Sequence, residues 1–89
     1  MESRTTAAFR KRYGQLPREV RAKAKAAYRQ FISNPQHPGL FFKKLPPHED
    51  IWSVRIDRDY RAIGRWRSDT VVWFFIGSHA EYDQLIDQL

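Results

Sequence analysis

The chain has 89 residues, of which 42% are hydrophobic and 15% aromatic, and its 16 Lys and Arg against 10 Asp and Glu give a formal net charge of +6. This length supports one domain spanning residues 1–89, with enough apolar content for a packed core rather than a disordered chain. The absence of cysteine excludes a disulfide framework, a thiolate zinc site and a cysteine nucleophile. The longest apolar run, residues 71–76, is far shorter than the roughly 20 residues of a membrane helix.

Residues 1–6 lack the apolar core of a signal peptide, so a soluble cytoplasmic protein is expected. Thr5 or Thr6 suits the cap of a short helix that carries Phe9 and Tyr13 four residues apart, with Gly14 at its end. Pro17 fits the first turn of a second helix. There Val20, Ala24, Ala27, Tyr28 and Phe31 form one apolar stripe, with Arg18, Arg21, Lys25 and Arg29 mostly off it. Asn34 and Pro35 stop this helix. Residues 36–50 read as a connection with a brief extended piece at 40–45.

The period then changes to two. Residues 51–57 put Trp52, Val54 and Ile56 on one side, and residues 60–66 alternate again. Residues 71–76 are apolar on both faces, as a central or doubly covered strand requires. Short breaks at residues 57–59 and 67–69 suit hairpins. Residues 80–89 return to helical spacing with Tyr82, Leu85, Ile86 and Leu89. The expected fold is α+β: a helical hairpin packed on a three-stranded antiparallel meander, then a short C-terminal helix.

Residues 1–34 carry nine basic and two acidic side chains, residues 35–67 seven and four, and residues 68–89 none and four. A basic body with an acidic tail points to nucleic acid or an acidic protein as partner, although a solvated helix face accounts for the first segment equally well. A first hairpin turning about Arg58 sets Arg55 opposite Arg61 and Ser53 opposite Ile63, with Arg65 on the same side. Three guanidinium groups gathered on one face suit a bound anion, unless Asp57 or Glu49 neutralises them. His79 and Tyr82 follow the last strand directly, and a histidine beside arginines is equipped to move protons at a phosphate. Taken singly, His79 reads as a capping residue and Tyr82 as core. His37 and His48 have no ligand at metal-binding spacing, so no metal site is expected.

Phe42-Lys43-Lys44-Leu45, Trp52-Ser53-Val54-Arg55-Ile56, Tyr60-Arg61-Ala62-Ile63-Gly64 and the stretch from Trp73 through Gly77-Ser78-His79 to Tyr82 together resemble the RelE/ParE superfamily of bacterial type II toxins. The resemblance covers residues 40–83, and the two preceding helices agree with it in order and length. It implies a toxin held inactive by a co-expressed acidic antitoxin. RelE-like members cut messenger RNA on the ribosome without a metal or other cofactor, whereas ParE-like members act on DNA gyrase; a basic module that has merely kept the fold is a third possibility. By position, the resemblance gives Arg61 the scissile-phosphate role, makes Arg55 a basic neighbour, and gives His79 and Tyr82 the C-terminal catalytic positions. It also assigns RNA contacts to Lys43 and Lys44, and the strand pattern adds Arg65. Ser53 stands where RelE has a lysine, Glu49 and Asp50 are loose candidates for a catalytic carboxylate, and the family's first strand is not evident, because residues 2–8 read as cap and helix.

Overall fold

The computed structural model describes residues 1–89. The elements are β1 (Glu2–Thr5), α1 (Ala7–Gly14), α2 (Arg18–Ser33), a 3-10 turn (Pro38–Leu40), β2 (Lys43–Lys44), β3 (Ile51–Arg55), β4 (Tyr60–Arg67), β5 (Thr70–Ser78) and α3 (His79–Gln88). The α+β class and the three helices match expectation. The sheet does not: it has five strands in the order β1-β5-β4-β3-β2, with β1 parallel to β5 and the other pairs antiparallel.

Residues 2–5 are therefore a strand, not a cap and helix. Their sequence is polar and has no apolar period, so their state is decided by pairing. The Glu2 amide donates to the Asp69 carbonyl at 2.7 Å and the Thr6 amide to the Trp73 carbonyl at 3.0 Å. The Ser3 hydroxyl accepts from the Trp73 indole at 2.9 Å and from the Tyr28 hydroxyl at 3.0 Å. β1 thus pairs with the outer edge of β5 and makes β5 a central strand.

Local chemistry sets the helix ends. Thr6 Oγ1 accepts from the Phe9 amide at 3.0 Å and starts α1. Pro17 is the N-cap of α2, one position outside its first turn, and Asn34 ends it. Ser78 caps α3 in a reciprocal box with Glu81, so this helix begins at His79.

The sheet has two covered faces. α1 and α2 lie over the first, where Val54, Ala62, Val71, Trp73 and Ile76 are buried against Leu16, Val20, Ala24, Phe31 and Leu40. On the second face Ile51, Ile63 and Phe75 pack with Leu45 and Tyr82, with Leu85 and Ile86 of α3 alongside. A bulge shifts the alternation of β5, so that Trp73 and Ile76 share the first face: Ile63 pairs with Phe75 but Gly64 with Trp73, which leaves Phe74 as the extra residue. Gly64 permits this approach, since a Cβ there would stand 2.8 Å from the Trp73 ring and 2.9 Å from Val71.

Candidate functional site

The hairpin between β3 and β4 adopts the expected register, with Ser53 opposite Ile63 and Arg55 opposite Arg61. Continuing across the sheet, Arg61 pairs with Gly77 of β5, and Lys43 of β2 pairs with Ser53. Paired residues share a face, so Lys43, Arg55 and Arg61 lie on the second face. None of these three engages a carboxylate in any of the seven ion pairs of the chain.

The guanidinium of Arg61 is fixed by its own turn. Nη1 donates to the carbonyls of Asp57 and Tyr60. The remaining N–H groups of this five-donor head are free for a ligand. Arg55 lies with its guanidinium carbon 5.2 Å from the centre of the Phe41 ring.

The Asp57 carboxylate does not neutralise either arginine. Oδ1 accepts from the Asp59 amide at 2.8 Å and Oδ2 from Lys23 of α2 at 3.3 Å. Burial pushes this carboxyl up, but the Asp59 amide, the Lys23 ammonium and the Tyr60 amide outweigh it and hold the group below its ordinary value. The turn so fixed offers a second carbonyl, that of Asp59, which accepts from the His79 amide at 2.7 Å. One turn therefore holds the Arg61 head and the first residue of α3.

His79 Nδ1 is 3.2 Å from Asp83 Oδ2, and its half-exposed ring lies 5.6 Å from the Tyr82 ring. Tyr82 itself is buried, 8% exposed, among Leu45, Ile51, Ile63 and Phe75. Its hydroxyl makes no hydrogen bond, yet no buried side-chain polar atom is left unpaired, so the hydroxyl reaches the surface. Behind His79, Glu81 binds the Ser78 amide at 3.0 Å and Arg12 of α1 at 3.2 Å. The Ser78 amide is the main cause of a lowered Glu81 carboxyl, with Arg12 adding to it against burial.

Arg65 does not join the other arginines. Ile63, fully buried under Tyr82, lies between Arg61 and Arg65 on this face. Asp50 Oδ2 accepts from Arg65 at 3.2 Å and from Arg67 at 2.8 Å, and chiefly the Arg67 bond lowers the Asp50 carboxyl. Glu49 pairs with Lys44 at 3.2 Å. Both loop carboxylates are thus engaged away from Arg61, toward the other end of β4. Lys44 is likewise paired, and Lys43 is not.

No group of three or more His, Asp or Glu side chains is placed to hold a metal ion. No helix is long and apolar enough to cross a membrane. The arrangement offers unneutralised guanidinium groups at one end of the sheet and, where α3 begins, a histidine with a carboxylate behind it, while Tyr82 packs beside that histidine over Ile63. Sequence reasoning missed Asp57 as the organiser, Asp50 as the partner of Arg65, and the Arg12–Glu81 tie. The Asp-Arg-Asp pattern at 57–59 is an Asx-turn signal that marks the first of these; the other two depend on long-range packing.

The sequence matches the family described as the ParE-like toxin domain over residues 18–84, and the chain belongs to that family, within the RelE/ParE superfamily. No curated protein matches it in sequence. Among solved structures, the RelB–RelE antitoxin–toxin complex from Methanococcus jannaschii contains a chain that superposes with a TM-score of 0.76 at 17% identity, over 92% of this chain and 96% of that one. YafQ from E. coli superposes with a TM-score of 0.72 at 14% identity, over 91% and 96%. A YoeB/ParE toxin from Agrobacterium tumefaciens gives 0.70 at 16% identity, over 89% and 99%. Likeness at these identities establishes the fold and assigns no residue its role.

Proposed function

We propose that this chain is the toxin of a type II toxin–antitoxin system and a metal-independent endoribonuclease that cuts messenger RNA on the ribosome in the cytoplasm. The observation that carries this reading is the Arg55–Arg61 pair, which faces no carboxylate and stands at the sheet end where His79 begins α3. In the proposed reaction the RNA 2′-hydroxyl attacks the adjacent phosphorus. A 2′-oxygen–phosphorus bond forms, the bond from phosphorus to the 5′-oxygen breaks, and a cyclic phosphate and a 5′-hydroxyl result. Arg61 and Arg55 hold the charge that grows on the phosphoryl oxygens. With Asp83 accepting from Nδ1, His79 Nε2 is left to move a proton, and the Tyr82 hydroxyl is the second proton carrier on this side. Lys43 contacts the RNA directly; Lys44 and Arg65 do so from within ion pairs.

The partner that restrains such a toxin is an acidic antitoxin. RelE of Methanococcus jannaschii and YafQ of E. coli are solved in complexes with the antitoxins RelB and DinJ, and this chain's charge of +6 suits a similar partner. A second reading, action on DNA gyrase or another protein without nuclease chemistry, is favoured by one observation. Ser53, where RelE has a lysine, is 2% exposed and presents no cation at that point of the face. Mapping 5′ ends of cellular mRNA after brief induction separates the two. Codon-phased cuts support the nuclease; intact mRNA with broken DNA supports the gyrase-directed toxin.

A further inference from the structure

Phe41 is 56% exposed, while its neighbour Leu40 is 3% exposed and Phe42 stacks on Trp52 at 4.6 Å. A lone exposed apolar residue is ordinary. Two features set this one apart. Its backbone has φ 47° and ψ 46°, the left-handed region that an aromatic residue seldom adopts, and it closes the 3-10 turn by donating its amide to the Pro38 carbonyl at 3.3 Å. With both neighbours anchored in the core, this strained link turns the ring outward. In addition, the Arg55 guanidinium sits 5.2 Å from the ring centre. Phe41 thus lies beside Arg55, and Arg55 stands opposite Arg61 on the next strand.

We infer that Phe41 is a stacking platform for a nucleobase of single-stranded RNA, the base next to the phosphate held by Arg55 and Arg61. The inference deepens the nuclease reading and rests on it. The ring centre is 5.2 Å from the Arg55 guanidinium carbon, so a phosphate on the arginines and a base on the ring lie within the span of one nucleotide. An acidic side chain satisfies the arginines but offers the ring no π face. RNA has both, because every base offers a π face to an aromatic side chain. The adjacent unneutralised cations hold the backbone while the ring holds the base.

The test uses the purified full-length chain and a fluorescein-labelled hexanucleotide RNA, 2′-O-methylated throughout so that it cannot be cut, with binding read by anisotropy. Phe41→Ala and Phe41→Asn are expected to weaken binding about tenfold or more, and Phe41→Trp to preserve or tighten it. Asparagine accepts left-handed backbone, so Phe41→Asn should keep the wild-type melting temperature, which separates a binding role from a folding role. On an abasic version of the probe, wild type and Phe41→Ala should bind alike. Equal binding of the methylated hexamer by wild type and Phe41→Ala overturns the inference, as does the same loss on the abasic probe, or no binding by the wild type. A Phe41→Ala chain that loses affinity only for an acidic antitoxin makes the surface a protein interface and overturns it too. Cleavage on programmed ribosomes is scored separately. A wild type that binds the probe through Phe41 but cuts nothing retains the stacking site and rejects the nuclease.

Discussion

Arg55 and Arg61 stand directly opposite each other on adjacent strands, and neither meets a carboxylate. Like charges in that position cost about 0.2–1 kcal/mol. The chain has acidic groups close by, yet Asp57 faces Lys23 and Asp50 faces Arg65 and Arg67. Repulsion retained in this way is relieved by an anion.

Arg61→Ala should therefore abolish cleavage with a small effect on folding. Losing a group that holds transition-state charge costs about 10²–10³-fold in rate. The hydrogen bonds to Asp57 and Tyr60 contribute about 1 kcal/mol to stability, partly offset by the repulsion removed with the side chain. Cleavage of mRNA on purified ribosomes, read beside a urea unfolding curve, checks both. Undiminished cleavage would take Arg61 out of the chemistry.

Asp57 is expected to act on the site without touching substrate. Its carboxylate closes the turn whose carbonyls hold Arg61 and His79. Asp57→Ala should lower kcat and cost about 1 kcal/mol of stability, the scale of a lost hydrogen bond. Asp57→Asn retains an oxygen for the Asp59 amide and loses the carboxylate's charge toward Lys23, whose own side chain is mostly exposed, so the lost pair is worth little. It should recover most of the rate. An Asn variant as slow as the Ala variant would shift the role from turn closure to the ion pair.

The second strand neighbour of β5 was legible in principle. A run apolar on both faces, such as residues 71–76, suits a central or doubly covered strand, and the structure makes it central. The strand that does so, Glu2–Thr5, carries no pattern of its own, because parallel pairing and the Ser3 hydroxyl decide its state. The Arg55–Arg61 register followed from alternation and turn length alone. The separation of Arg65 from them did not, because it depends on Asp50 arriving from a loop and on Ile63 being buried by α3. Phe41 left no signal either: its exposure arises from a backbone conformation that residue type argues against.

Acid should weaken the fold through the lowered carboxyls of Asp50, Asp57 and Glu81. The Arg67 bond chiefly lowers Asp50 and the Ser78 amide chiefly lowers Glu81, while at Asp57 burial opposes the Asp59 amide and Lys23 and loses. A carboxyl with a lower pKa in the folded state binds fewer protons there. Its stabilisation is complete above the ordinary carboxylate range near ~4 and is lost as pH falls through the lowered values. Urea midpoints should change little from these groups between pH 7 and 5 and drop below pH 4. Asp50→Asn should flatten that drop, and an unchanged acid slope would exclude Asp50 as a contributor.

His79 divides the two functional readings. It starts α3, its amide is anchored on the Asp59 carbonyl, and its ring is backed by Asp83. As the proton carrier it would supply about 10²–10⁴-fold in rate. His79→Gln keeps a hydrogen-bonding side chain at an exposed helix start but moves no proton near neutral pH. Purified ribosomes programmed with mRNA should be cut by the wild type and hardly at all by this variant, with binding of the methylated hexamer retained. Asp83→Asn should give a smaller loss, because the ring stays in place while its tautomer is no longer held by charge. Cleavage at the wild-type rate by His79→Gln would leave the Tyr82 hydroxyl, whose ring is 5.6 Å away, as the proton carrier. Growth arrest without any cleavage by the wild type would instead favour the protein-directed toxin, for which neither His79 nor Asp83 is required.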